Sequence, residues 1–244
     1  MASVNRGARQ YQWIALVLVA ILAYLLVSGR VFSVDTLVVF AAFIPSVILH
    51  EVSHGALALA FGDDTAKQAG RLTLNPVPHI DPFGTLILPG LMLLSGFGAL
   101  AYAKPVPVNV LRLRHPRNQS LLVSLVGPAV NIILAVAAAL AFRAVVGGTP
   151  VFTDNRGFPD QWLPKILFIF GYVNVILAVF NLIPLPPLDG SAVVERLLPR
   201  SWWPGYLRLR QFALPLLLLL IFFGPQVLPR IFNPALNLWS RLLF

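Results

Sequence analysis

The sequence predicts an all-α polytopic membrane protein with about five to six transmembrane helices, and three observations carry that reading. Hydrophobic residues make up 58% of the chain, charged residues only 11%, and mean hydropathy is +0.81; soluble domains carry about 25% charged residues. The charges gather in short runs between apolar stretches, several of them near the roughly 20 residues a helix needs to cross a bilayer. Cysteine is absent, so disulfides, thiolate metal sites and thiol nucleophiles are excluded. At 244 residues the chain reads as one membrane-embedded domain, 1–244, with no room for a large soluble module. The net charge of +9, 18 Lys and Arg against 9 Asp and Glu, fits cytoplasmic loops beside a lipid bilayer. No basic stripe with interleaved aromatics points to nucleic acid.

Taken in order, 1–33 holds the first transmembrane helix. Arg6 and Arg9 precede the apolar run Tyr11–Ser28, with Tyr11 and Trp13 suited to the interface. The run has no small-residue cleavage site and reads as uncleaved. A second span covers Val34–Phe61 and stops at Asp63 and Asp64. Pro76, Pro78 and Pro82 then forbid a helix. The alternation around Arg71–Asn75 allows a short surface strand that an extended peptide would pair with, although a proline-rich loop is the better reading. Thr85–Ala103 is apolar but broken by Pro89-Gly90, Gly96 and Gly98, and a basic loop, Lys104–Gln119, follows it. Leu121–Val146 is a strong span, broken near its start by Gly127-Pro128. Trp162–Phe180 is another, running into the proline-rich segment 181–190. The remainder, 211–244, comprises a last span, Phe212–Leu228, and a tail read as an interfacial helix anchored by Trp239 and Arg241.

Topology turns on residues 85–103. If they cross fully, the four-positive loop 104–119 faces outside, against the positive-inside bias. If they enter and return as a re-entrant hairpin, 12 of the 18 Lys and Arg face the cytoplasm. The hairpin is favoured. Broken backbone at that depth must be buried in protein or line a wet cavity.

Within the second span lies His50-Glu51-Val52-Ser53-His54, an H-E-x-x-H pattern. On a helix the two histidines are i and i+4, about one turn apart on one face, where both imidazoles can hold one metal ion. Glu51 stands beside them, placed to take a proton from a metal-activated water. Two histidines and a glutamate are costly in hydrocarbon without a partner, and one zinc ion per chain would be that partner. The bland alternative is a hydrogen-bonded polar cluster that joins helices.

Catalytic zinc sites commonly use three protein ligands. His79, His115, Asp81, Asp189 and Glu195 are the candidates for the third. His115 sits among arginines and prolines, as a solvated histidine would. His79 lies between prolines and reads as a loop residue that could approach the mouth of the site. Asp189 follows a long stretch whose one charge is Lys165, on backbone that Pro184, Pro186 and Pro187 keep from being helical. An acid so placed is the best candidate, against the plainer reading of a cap on the next helix.

These stretches resemble the site-2 protease family of intramembrane zinc metalloproteases. The family's second motif, N-x-x-P-x-x-x-L-D-G, is matched by Asn181, Pro184, Leu188, Asp189 and Gly190, and its G-P-x-x-N by Gly127, Pro128 and Asn131. The resemblance covers a catalytic core of about 34–195. It implies His50, His54 and Asp189 as zinc ligands, Glu51 as catalytic acid/base, and Asn131 and Asn181 as polar groups near the site. It also implies a transmembrane protein substrate, regulated intramembrane proteolysis, and a prokaryotic cell membrane with the active site toward the cytoplasm. The chain resembles the compact members without PDZ or CBS domains. The alternative from another class is a zinc transporter or metal-binding scaffold without hydrolysis. It would show polar residues along several spans, whereas intramembrane polarity here concentrates at the motifs.

Overall fold

A computed structural model describes residues 34–81, 104–154, 157–213, 215–216, 219 and 227–243. The expected helix at 11–28, the hairpin expected within 85–103 and most of the expected span 212–228 lie outside these residues. The described helices are α1 (Val34–Ala60), α2 (Thr65–Gln68), α3 (Pro116–Val146), α4 (Trp162–Asn181), α5 (Ser191–Leu197), α6 (Trp203–Gln211) and α7 (Leu228–Ser240). Among the described residues three helices, α1, α3 and α4, are long and apolar enough to cross a membrane. The protein is thus a helical membrane protein. No strand occurs among the described residues, only one isolated bridge between Thr153 and Pro159.

These three helices form the core. α1 and α4 run in the same direction and α3 runs against both. Small residues line the contacts, among them Ala135, Ala138 and Ala139 of α3 and Gly171 and Ala178 of α4, and they let the backbones approach closely. Phe142, Val146 and Val175 fill the gaps around them. Leu140, Ile133 and Ile166 point outward, as lipid-facing side chains do.

Each end of α1 is tied down by polar groups. At its start, Asp35 meets the ammonium of Lys165 on α4 at 3.2 Å, and Lys165 also reaches Asp154 at 2.9 Å. At its far end Gly62 takes a positive φ of 107°, and the Asp63 amide returns to the Ala58 carbonyl in a Schellman closure. Asp63 is fully buried and accepts from the Thr65 amide and hydroxyl and, at 2.6 Å, from the Asn109 amide. That bond holds the extended segment 104–109 along the second half of α1.

One sequence expectation holds here and one changes. Arg71–Asn75 lies in the proline-rich loop that the sequence favoured, not in the strand it allowed. Thr73 and Asn75 cap nearby amides with their own side chains, and such local bonds compete with a ladder. Arg71 is buried and donates to the carbonyls of Pro78, Lys104 and Pro105, which clips this loop to the segment over α1. Trp239 is not an interfacial anchor. It is buried against α3 and α4, its indole N–H donates to the Ala135 carbonyl at 2.8 Å, and Gly171 leaves room for its ring.

Candidate metal centre

One face of α1 presents Ser46, His50 and His54 at intervals of four residues, all buried. Antiparallel to it, α3 presents Val123, Gly127 and Asn131 at the same interval. The two stripes mesh. His54 Nδ1 lies 2.5 Å from the Val123 carbonyl, and His50 Nδ1 lies 2.6 Å from Asn131 Oδ1. Gly127 sits under both rings. A Cβ there would lie 2.6 Å from Cε1 and Nε2 of His50 and would also collide with Nε2 of His54.

With each Nδ1 bonded to an oxygen, both Nε2 atoms turn the other way, and there they meet Asp189. The chain leaves α4 at Asn181 and cannot continue the helix through Pro184, Pro186 and Pro187. It folds back instead, and the Gly190 amide donates to the Asn181 carbonyl at 2.6 Å. Gly190 packs so closely on Leu182 and Ile183 that a Cβ would lie 2.6 Å from the Ile183 carbonyl. This tight return places Asp189 Oδ2 at 3.0 Å from His50 Nε2 and 3.3 Å from His54 Nε2. One ligand atom from each of the three residues lies within 4.8 Å of the others.

This donor set fits a divalent cation. Both Nδ1 atoms face oxygens, so they carry the ring protons and the Nε2 lone pairs converge on a carboxylate that can only accept. Lone pairs gathered in that way repel one another unless a proton or a cation lies between them. Two imidazole nitrogens and one carboxylate oxygen match a three-ligand zinc site, and each Nδ1–H···O bond is the outer-shell support that orients such ligands.

Glu51, one residue beyond His50, is half-buried, and its Oε2 accepts from the Val106 amide at 2.8 Å. The segment 104–109, clipped by Arg71 and Asp63, therefore fixes the carboxylate from outside the helix bundle.

The other candidates lie elsewhere. His79 is buried, and its Nε2 donates to the Thr73 carbonyl at 3.0 Å. His115 precedes α3 and is exposed, while Glu195 accepts from the Tyr206 hydroxyl at 2.9 Å. Asn181 turns its side-chain amide back to the Leu177 carbonyl at 3.0 Å, and its contribution to the site is the backbone carbonyl that holds Gly190. Sequence reasoning missed Asn174, which is fully buried and donates to Ser46 Oγ at 2.8 Å while accepting from Asn131 Nδ2 at 2.8 Å. The signal was available: an asparagine amid the apolar run of α4 needs a partner. Nothing in the sequence marked Val106, whose part is played by its backbone.

A bundle of membrane-crossing helices with an H-E-x-x-H centre defines a membrane metallopeptidase. A profile of peptidase family M50 matches residues 146–223, the stretch that contains Asp189. The Bacillus subtilis (strain 168) protein named "Putative zinc metalloprotease YwhC" is 42% identical over 156 residues, covering 64% of this chain and 67% of that protein. "Putative zinc metalloprotease Rip2" of Mycolicibacterium smegmatis is 31% identical over 204 residues, covering 83% of this chain and 70% of the relative. The Rip2 of Mycobacterium tuberculosis (strain H37Rv) is 33% identical over 190 residues, 78% of this chain and 68% of the relative. No solved structure matches the chain. The chain belongs to peptidase family M50, the site-2 protease family.

Proposed function

We propose that this protein is an intramembrane zinc metalloprotease that hydrolyses peptide bonds in or beside transmembrane segments of membrane proteins, as a step of regulated intramembrane proteolysis. One observation carries the reading: His50, His54 and Asp189 converge inside a bundle of membrane-crossing helices with Glu51 beside them. Along α1, His54 and His50 lie about 9 and 15 Å from the end of the helix, below the level of the loops.

His50, His54 and Asp189 would hold the zinc, which when bound supplies Lewis acidity toward water and the scissile carbonyl. Glu51 takes the proton from the attacking water and returns one to the leaving amine. The Val106 amide keeps the Glu51 carboxylate pointed for that transfer. A substrate helix has its carbonyls tied to amides four residues on, so helix-breaking residues near the bond favour cleavage. The loops at the site end of the bundle, 62–81, 104–117 and 190–210, carry 10 Lys and Arg, against one in 147–161. The positive-inside bias supports a site turned toward the cytoplasm, in the prokaryotic cell membrane that the family resemblance implies.

The test uses purified protein, a model transmembrane substrate and Glu51→Gln. Retained zinc with cleavage reduced about 100-fold or more supports the hydrolase. Unaltered cleavage would remove Glu51 from the chemistry. Zinc binding with no turnover even in the wild type would favour a zinc transporter or scaffold.

A further inference from the structure

We propose that Asn174 is a positioning residue for the metal centre, turning the Asn131 carboxamide so that His50 presents Nε2, and not a protonated ring edge, to the cation. The inference rests on the zinc reading above.

A carboxamide has nearly the same shape either way round, so only its neighbours decide which end faces His50. Those neighbours form a chain with one direction. It starts at the Phe170 carbonyl, an acceptor only, which takes a bond from Asn174 Nδ2 at 2.9 Å. The Ser46 hydroxyl gives its one proton to the Ala42 carbonyl at 2.7 Å and so meets Asn174 Nδ2 as an acceptor, at 2.8 Å. Two acceptors therefore fix the Nδ2 end of Asn174. Its Oδ1 is left facing α3, where it accepts from Asn131 Nδ2 at 2.8 Å. Asn131 Oδ1 is then turned to His50 Nδ1 at 2.6 Å, the proton sits on Nδ1, and Nε2 keeps its lone pair toward Asp189.

His54 needs no such relay, because the Val123 backbone carbonyl accepts from its Nδ1 directly. His50 has a side chain as its acceptor, and that side chain has a wrong orientation open to it. Without Asn174, the contact holding Asn131 in place is the Ser46 carbonyl at 3.4 Å, at the long end for a hydrogen bond. A turned carboxamide would donate to Nδ1, shift the ring proton to Nε2 and close that nitrogen to metal. Asn131 and Asn174 are both fully buried, so water cannot substitute for either.

The test is a double-mutant cycle on the full chain in lipid nanodiscs, reading zinc affinity by competition with a chromophoric chelator. Asn174→Leu should weaken zinc about 10- to 100-fold, the usual effect of losing an outer-shell partner. In an Asn131→Asp background it should cost almost nothing, because a carboxylate accepts from Nδ1–H whichever way it is turned. Equal losses in both backgrounds, or no loss in the first, would overturn the inference. A second measurement needs no variant. Ring-¹⁵N NMR of the metal-free wild type at about pH 8 should show His50 carrying a proton on Nδ1, whether or not a second proton bridges Nε2 and Asp189 in place of the cation; an Nδ1 without a proton would overturn the inference by itself. A wild type that binds no zinc would overturn the proposed function instead, and the NMR result would still decide the role of Asn174.

Discussion

Gly127 shows how little space the site leaves a single residue. The rings of His50 and His54 lie directly over it, and a methyl group would lie only 2.6 Å from Nε2 and Cε1 of His50. Gly127→Ala is therefore expected to lower zinc occupancy at least tenfold, measured as metal per chain after dialysis. Alanine is the better helix former by about 1 kcal/mol, so the loss cannot come from a weaker α3. Asp63 gives a prediction of another kind. Burial works to raise its pKa, but the bonds from Thr65 and Asn109 and the charge of Arg112 outweigh that and hold the carboxyl below its ordinary value. A depressed carboxylate contributes stability that is fully present above the unfolded value of about 3.9 and is lost as pH falls through the folded value. Asp63→Asn should thus be less stable than wild type near neutrality, by about 2 kcal/mol for bonds to a charged acceptor. The gap should narrow below about pH 4. Denaturation across pH checks both the sign and the window.

At the scale of elements, α1 does two jobs at separate ends. Its second half carries His50 and His54, two of the three proposed metal ligands, and its first turn is joined to α4 through Asp35 and Lys165. Lys165 also holds Asp154 of the loop before α4, so its removal leaves two acids facing each other. Lys165→Met should lower the melting temperature in detergent by about 10 °C, because removing one partner of a buried ion pair costs about 3 kcal/mol. Zinc content should not change, because the site lies more than three helical turns away along α1. Loss of zinc in that variant would mean that the two ends of the bundle are coupled. The segment 104–109 works differently. Its prolines leave few amides, and those of Lys104, Val106 and Asn109 are given to His79, Glu51 and Asp63. A loop without regular structure thereby holds Glu51, the proposed catalytic acid/base.

For the whole molecule, the antiparallel arrangement places the loop 62–81 and the segment 104–115 at the site end of the bundle and the loop 147–161 at the other. The absence of native cysteine makes this directly measurable. Single cysteines from Arg117→Cys and Gly148→Cys should react with an impermeant maleimide from opposite sides of the membrane, Arg117→Cys from the cytoplasm. Labelling of both from one side would contradict the three crossings.

The membrane class, the three core spans, the His50/Glu51/His54 pattern and the special character of Asp189 are all legible in the order of residues. These are properties of contiguous chain: hydropathy over twenty residues, a four-residue spacing on one helix, prolines that end another. That Asp189 meets both Nε2 atoms, that Val106 holds Glu51, that Asn174 stands behind Asn131 and that Trp239 is buried emerge only from the packed helices. Each of those is a pairing across dozens of residues. In lipid, where hydrophobicity does little to choose between helix faces, such pairings are selected by close packing at small residues and by buried polar groups that must find one another.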